Sequence, residues 1–143
     1  MTSGAEALFA RDLTSQSLAI ELDVVAEGRA SVRLRLTESM VNGHGLAHGG
    51  YVFLLADAAF AYASNTHGPA AVAQSAQITF LRPARAGDVL CAEANQRSRV
   101  GRHGVYDVTV SRDDGAVVAE FRGHSVFLPG PATPADEGEP DAD

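Results

Sequence analysis

Alternating hydrophobic and polar residues mark two strands near the start of the chain. Residues 17–26 carry apolar side chains at every second position, and the same period returns over 29–37 after a turn at Glu27-Gly28. A period of two is typical of β-strands. We therefore predict a hairpin with one face in water, preceded by a short helix over 5–13. The inward positions are expected to be Leu18, Ile20, Leu22, Val24, Ala30, Val32, Leu34 and Leu36.

The period changes after a loop over 40–50 that contains four glycines. Residues 51–65 are rich in Phe, Leu and Ala without alternation, which predicts a helix, and His67-Gly68-Pro69 ends it. Four further strands are predicted from the returning alternation. They span 71–81, 88–98, 104–112 and 116–127.

The predicted order of elements is β-β-α-β-β-β-β. This order is an α+β layout in which one long helix lies against an antiparallel sheet. The helix is apolar on nearly every side, so it cannot lie on a sheet with its back in water. Either the sheet wraps around the helix or a second subunit covers it.

Length and composition favour one domain. The chain has 143 residues, of which 45% are apolar, enough for one core. We divide it into an N-terminal helical segment, 1–14, a folded body, 15–128, and a tail, 129–143. The tail carries five acidic residues and no basic ones, and we predict that it is disordered. The body has no basic stripe, which argues against nucleic-acid binding.

Neither a membrane segment nor a targeting signal is visible in the sequence. The longest apolar stretch, 51–63, has 13 residues interrupted by Asp57, whereas a membrane helix needs roughly 20. The single Cys91 cannot form an internal disulfide, and we expect a cytoplasmic protein. All 11 basic residues are arginine, which excludes Schiff-base chemistry and a lysine-dependent phosphate loop.

The carboxylate of Asp57 is the strongest chemical signal in the sequence. It lies among twelve apolar or aromatic residues over 51–63. Burying an ion there costs several kcal/mol unless a partner offsets it. Asp57 therefore either caps a neighbour, meets an arginine of the sheet, or takes part in chemistry.

The predicted start of the helix favours chemistry. It lies at glycines, whose backbone N–H groups are unobstructed and point from the positive end of the helix dipole. The Gly49 N–H is thus a candidate oxyanion donor, and His48 and Asn42 are candidates for orienting the loop or the substrate. Alternatively, His44 and His48 pack within the loop or bind a metal. We expect no metal, because no further His or Cys cluster completes a ligand set.

The spacing of the two candidate groups indicates a dimer. Gly49 and Asp57 are eight residues apart, which is roughly 12 Å along one helix. One substrate carbonyl cannot contact both. Two antiparallel copies of the helix would bring Gly49 of one chain beside Asp57 of the other, so we predict active sites shared between subunits.

Several short motifs together resemble those of one enzyme family. They are N-G-H-G-L-A-H-G-G over 42–50, L-A-D over 55–57, F-L-R-P over 80–83 and A-G-D over 86–88. In this combination the chain resembles the hotdog-fold thioesterases of the phenylacetate-degradation (PaaI) type over about 15–128. The resemblance implies an antiparallel sheet wrapped around one long central helix, no cofactor, and a homodimer that commonly pairs into a homotetramer.

The resemblance also implies hydrolysis of acyl-CoA thioesters, with an aryl-acyl group such as phenylacetyl or hydroxyphenylacetyl, or a medium chain. Asp57 would act as general base or nucleophile, and Gly49 would donate its N–H to the thioester oxygen. Asn42 and His48 would orient substrate or water, and Ser75 would hold the attacking water. The remaining substrate-binding candidates, with the arginines as partners for the CoA phosphates, are Gly50, Phe53, Arg82, Arg97, Arg99 and Arg102.

Two other functions are compatible with this family. A hotdog acyl-CoA hydratase generally needs a His about five residues after the Asp, and position 62 here is Tyr. A non-catalytic acyl-CoA sensor could keep the pocket without the carboxylate, but Asp57 is present. We therefore favour the hydrolase.

Overall fold

Six antiparallel strands and one long helix form the core of the protein. The computed structural model describes residues 4–130. The helices are α1 (Gly4–Arg11), α2 (Leu13–Ser17) and α3 (Gly49–Ser64). The strands are β1 (Glu21–Ala26), β2 (Arg29–Arg35), β3 (Ala71–Phe80), β4 (Val89–Val100), β5 (His103–Arg112) and β6 (Val117–Phe127).

The strands form a single sheet in the order β1-β2-β4-β5-β6-β3, and each neighbouring pair is antiparallel. The sheet bends around α3, which packs against all six strands. The predicted α+β layout, with a sheet around one long central helix, is confirmed. Within residues 4–130 no helix is long and apolar enough to cross a membrane.

The N-terminal segment differs from its prediction. The expected helix over 5–13 ends at Arg11, and the expected strand over 17–26 begins only at Glu21. The physical reason is Asp12, which has an extended backbone and accepts a hydrogen bond from the Ser15 N–H at 3.0 Å. This N-cap starts the short α2, which takes Ser17 from the predicted strand and has Leu18 as its C-cap, so the strand begins later. Of the predicted disordered tail, residues 131–143 lie outside the described part of the chain.

The predicted inward positions are correct in β2, although Ser31 on the face expected in water is buried too, and one inward position is wrong in β1. Ala30, Val32 and Leu34 are buried as expected. In β1 a bulge between Leu22 and Val24 adds one residue, which reverses the inward and outward positions beyond it. Val24 is consequently 44% exposed, although alternation placed it in the core.

Most of α3 is buried, but one stripe remains partly open. Val52, Leu55 and Phe60 are at most 2% exposed. The less buried positions follow one another at three- or four-residue spacing, as expected for one face of a helix. This stripe consists of Gly50, Leu54, Asp57 and Ala61; in the first turn or two of the helix Gly49, Tyr51 and Phe53 are half-buried as well.

Gly123 of β6 provides a test of how tightly the sheet closes on α3. A Cβ at this position would lie 2.7 Å from ring carbons of Phe60, whose ring is held between Tyr106 and Phe121. Gly123→Ala should therefore lower the free energy of unfolding by roughly 1–3 kcal/mol. Urea unfolding measures this change. Gly43→Ala is the control, because a Cβ there meets nothing within 4 Å; equal stabilities of the two variants would contradict the packing described.

Candidate active site

A cleft of about 400 Å³ opens where α3 begins and β3 ends. It lies beside the loop that precedes α3. Its walls are mostly apolar, with polar groups supplied by an asparagine, an arginine and the helix start. The lining residues are Asn42, Leu46, Ala47, Gly49, Val52, Phe80, Leu81, Arg82, Pro83, Ala84 and Val118.

The start of α3 leaves one backbone donor facing this cleft. His48 is the N-cap, and its Nδ1 accepts a hydrogen bond from the Gly50 N–H at 3.0 Å. The Gly49 N–H has no acceptor among the described residues. Sequence reasoning treated His48 as a group that orients loop or substrate and Gly50 as a substrate contact. In the structure the two bind each other, and Gly49 alone keeps a free N–H at the helix end.

The absence of a side chain at Gly49 allows an aromatic ring to approach. A Cβ there would lie 3.1 Å from Cζ of Phe80. Phe80 and Leu81 are 53% and 51% exposed, so the described chain leaves two large apolar side chains beside the free donor. In the sequence both residues stand out only as part of the F-L-R-P motif. Two large apolar residues at the end of a strand, directly before a polar loop, are the sequence signal that could have indicated a cleft wall here.

Asn42 shapes the loop that forms one side of the cleft. Its Oδ1 accepts hydrogen bonds from the N–H groups of His44 and Leu46, at 2.9 and 3.2 Å. The Asn42 N–H donates to the Leu46 carbonyl at 2.7 Å. The side-chain oxygen thus closes the loop, and the side-chain NH₂ remains as the donor that Asn42 can offer to a ligand.

Asp57 lies on the open stripe of α3 and outside the Gly49 cleft. Burial raises the pKa of its carboxyl group above the usual range, and the negative charge of Asp12 raises it further. Sequence reasoning did not single out Asp12, because it is an ordinary N-cap residue far from Asp57 along the chain. The separation of Asp57 from Gly49 agrees with the spacing along one helix.

The other predicted site residues are scattered. Arg82 lines the cleft, and its Nη1 donates to the Val117 carbonyl at 3.0 Å. Ser75 lies exposed on β3 opposite His124, next to a bulge. Phe53 packs edge-to-face on Phe121, with ring centroids 5.4 Å apart.

Three of the predicted CoA-binding arginines lie at the other end of the sheet, near the end of α3. Arg97 forms an ion pair with Asp107 at 3.3 Å. Arg99 lies over the ring of Phe127, and Arg102 donates two hydrogen bonds to the Phe127 carbonyl. Within one chain these arginines do not join the Gly49 cleft. No group of three or more His, Cys, Asp or Glu among residues 4–130 could hold a metal ion.

The fold and the site define the chain as a hotdog-fold thioester hydrolase. Residues 44–119 match the model of the thioesterase superfamily, so the chain belongs to that superfamily. The resemblance inferred from the motifs is therefore confirmed. Within this superfamily, two individual relatives resemble the chain over most of its length.

The chain is 43% identical over 129 residues to the acyl-coenzyme A thioesterase PaaI of Escherichia coli, a match that covers 90% of this chain and 92% of the relative. The solved structure of the E. coli PaaI protein matches with a TM-score of 0.87 over 89% of this chain and 92% of that one. A mutant of the phenylacetic acid degradation protein PaaI from Thermus thermophilus is 38% identical. The structure of this mutant matches with a TM-score of 0.78 over 82% of this chain and 100% of that one.

The raised pKa of Asp57 predicts a pH-dependent effect on stability. The folded state holds the Asp57 proton more tightly than the unfolded state, so the associated stability is present below the usual pKa of 3.8 and is lost as the pH rises through the folded-state value. Asn does not ionise, so Asp57→Asn does not lose this stability as the pH rises. We expect the variant to have a higher Tm than the wild type at pH 7, and the difference to narrow as the pH falls toward 3.8. Calorimetry at several pH values measures it; a lower Tm of the variant at pH 7 would contradict the prediction.

Proposed function

We propose that the protein hydrolyses acyl-CoA thioesters at sites shared between two copies of the chain. The observation that carries this proposal is the separation of two unused groups on one helix. Gly49 has a free N–H at the start of α3, and Asp57 lies roughly 12 Å further along on the partly open stripe. Hydrolysis needs an oxyanion donor and a base at the same carbonyl, and one chain does not place the Gly49 N–H beside the Asp57 carboxylate. The name of the E. coli relative, an acyl-coenzyme A thioesterase, supports the substrate class.

The two groups together supply the chemistry of thioester hydrolysis. The thioester oxygen accepts a hydrogen bond from the Gly49 N–H, which stabilises the negative charge that develops there. The Asp57 carboxylate takes a proton from water as the water oxygen attacks the carbonyl carbon. The tetrahedral intermediate then breaks its carbon–sulfur bond, and the leaving CoA thiolate takes up the proton that Asp57 had accepted. In the alternative route the Asp57 carboxylate attacks the carbonyl carbon and displaces the CoA thiolate, and water then hydrolyses the acyl anhydride to release the acid.

The raised pKa of Asp57 suits the role of a base. A carboxylate with a higher pKa accepts a proton from water more readily, provided that it is ionised at the working pH. Asn42 and His48 orient the loop and substrate beside Gly49 in this proposal. Ser75, exposed on β3, holds the attacking water.

Two surfaces of the described chain support the proposed dimer. Strand β3 pairs with β6 on one side, and its other side is an open ten-residue edge. Such an edge readily pairs with another chain. Pairing through β3 would bring the open stripe of α3 against its counterpart in antiparallel orientation, with Gly49 of one copy near Asp57 of the other. We further propose that two dimers form a homotetramer.

The cleft supports a preference for apolar acyl groups. Phe80 and Leu81 present apolar surface next to the Gly49 donor, which suits an aryl-acyl group such as phenylacetyl or hydroxyphenylacetyl, or a medium chain. Arg82 offers a cation at the rim for a CoA phosphate. In the assembled oligomer Arg97, Arg99 and Arg102 are further candidates. The single half-buried Cys91 thiol suits the reducing cytoplasm, where we place the protein.

Replacing Asp57 tests the base. Asp57→Asn should lower kcat by about 100-fold or more, because the amide cannot accept the proton from water. A thiol-release assay with aryl, short, medium and long acyl-CoAs measures kcat and identifies the preferred acyl group. The control is the exposed Asp113→Asn, which should hydrolyse substrate at the wild-type rate. Near-normal turnover by Asp57→Asn would overturn the assignment.

Replacing Gly49 tests the oxyanion donor and the shared site. Proline is tolerated at the first position of a helix but has no N–H, so Gly49→Pro should lower kcat by about 100-fold or more. Gly49→Ala is the matched control, because it introduces the same contact with Phe80 but keeps the N–H and should lose much less activity.

Mixing Gly49→Pro and Asp57→Asn chains then tests whether subunits share sites. After subunit exchange half of the dimers contain one chain of each variant. If sites are shared, one of the two sites in such a dimer is intact, because it combines Gly49 of the Asp57→Asn chain with Asp57 of the Gly49→Pro chain. Activity should therefore return to about a quarter of the wild-type value. A mixture as inactive as its components, with exchange verified by mass spectrometry, would show that each site lies within one chain.

A further inference from the structure

A second cavity, of about 310 Å³, lies between α1, the end of α3 and the start of β3. The α1 residues that line it follow one another at three- or four-residue spacing and therefore form one face of the helix. They are Gly4, Ala7, Leu8 and Arg11. Small and apolar residues make up most of the wall, and Arg11 is the one charged residue among the described residues that line it.

Contacts at both ends hold α1 in place against α3. At its start, a Cβ on Gly4 would lie 2.7 Å from the Asn65 carbonyl oxygen. Toward its end, the ring of Phe9 packs edge-to-face on Tyr62, with centroids 5.6 Å apart. Just after the helix, Oδ2 of Asp12 accepts a hydrogen bond from the Tyr62 O–H at 2.6 Å. The helix α1 therefore runs from the end of α3 back toward its middle, and the cavity wall that it forms is fixed.

Arg11 brings to this cavity a positive charge that the described chain does not neutralise. Its side chain is exposed, and among residues 4–130 its guanidinium has no hydrogen-bond or ion-pair partner. The adjacent Asp12 carboxylate instead accepts hydrogen bonds from Tyr62 and Ser15. A guanidinium can donate two parallel hydrogen bonds to one carboxylate. The cavity thus suits a ligand with an apolar body and a carboxylate at its end.

The two ends of β3 relate this cavity to the Gly49 cleft. Ala71 and Val72, at the start of the strand, line the cavity, and Phe80, at its end, lines the cleft. Within one chain the length of the strand, roughly 30 Å, separates the two. In the proposed dimer, antiparallel pairing through the open edge places the start of β3 in one copy about 5 Å from the end of β3 in the other. The cavity of one copy then continues the cleft of the other.

We propose that Arg11 binds a carboxylate at the far end of the acyl group, so that the preferred substrates are acyl-CoA thioesters of apolar chains that end in a second carboxylate. The thioester lies between Gly49 of one copy and Asp57 of the other. The acyl chain extends along the apolar face of α1 in the copy that supplies Asp57. This inference rests on the proposed function and deepens it, because it names the acyl group.

The assembled dimer strengthens the pairing of Arg11 with a carboxylate. The second copy covers the open edge of β3 and therefore removes water from the cavity beside it. In less polar surroundings an ion pair of good geometry is stronger, and an unpaired cation is costly. An uncharged acyl end leaves Arg11 without a counter-ion. Chains with and without the second carboxylate should therefore be hydrolysed at different rates.

Matched pairs of substrates test the substrate class. Adipyl-CoA and hexanoyl-CoA share six acyl carbons and differ in the second carboxylate, and suberyl-CoA and octanoyl-CoA are the longer pair. A thiol-release assay on the full chain gives kcat/KM for each. Arg11→Gln should lower the ratio of kcat/KM between the members of a pair by about 10- to 100-fold, because a charged hydrogen-bonded partner is lost. Arg11→Glu should lower the ratio further and raise kcat/KM for 6-aminohexanoyl-CoA, whose ammonium group pairs with the introduced carboxylate.

The control variant is Arg35→Gln. It removes the charge of an exposed arginine on β2 instead, and the ratio should stay as in the wild type. The same ratio in the wild type, Arg11→Gln and Arg11→Glu at both chain lengths would overturn the proposal and would mean that the second copy fills the cavity. Hydrolysis of none of these thioesters would overturn the proposed function as well, so the two failures are distinguishable.

Mixed dimers test which copy supplies Arg11. In a dimer of a Gly49→Pro chain and an Asp57→Asn chain, the intact site takes Asp57, and with it the cavity, from the Gly49→Pro chain. Adding Arg11→Gln to that chain should therefore abolish the preference for adipyl-CoA over hexanoyl-CoA. Adding it to the Asp57→Asn chain should leave the preference unchanged. Loss of the preference only in the second mixture would overturn the proposed arrangement.

Discussion

The burial of α3 inside the curved sheet is the interaction on which the rest of the structure depends. Each large apolar side chain that α3 removes from water contributes about 1.5–3 kcal/mol, and Val52, Leu55 and Phe60 are all buried. This stabilisation is large enough to tolerate one carboxylate at Asp57 with a raised pKa. The sheet covers most of the helix, and α1 covers part of the remainder. The stripe that stays open is where Asp57 lies.

The start of the helix follows from the same packing. Because α3 is held in the core, its first turn is fixed against the end of β3, and the ring of Phe80 approaches Gly49 too closely for any other residue to fit without a shift. His48 satisfies the Gly50 N–H, which leaves a single donor at a defined place. The oxyanion role proposed for this N–H depends on that fixed place, since an oxyanion site works only when its donors are positioned before the reaction.

The sequence predicted much of the fold, and of the eleven site residues that it proposed, Asn42, Gly49 and Arg82 line the candidate cleft. Alternation predicted five of the six strands to within a few residues, and the Phe-, Leu- and Ala-rich run predicted α3 to within two residues at its start. It failed at Asp12, where a local side-chain hydrogen bond begins a helix, and at the bulge in β1, where one inserted residue reverses the alternation. Both are local backbone changes that the period of apolar positions does not encode.

By itself the sequence determined that one carboxylate would lie in an apolar helix beginning at glycines, because burial pattern and helix starts are encoded by neighbouring residues. Only the tertiary structure decided which groups meet. It placed Phe80 against Gly49, it moved three of the predicted arginines to the far end of the sheet, and it joined Asp12 to Tyr62 across 50 residues of chain. Such contacts depend on how separate elements pack, and no local pattern in the chain records that packing.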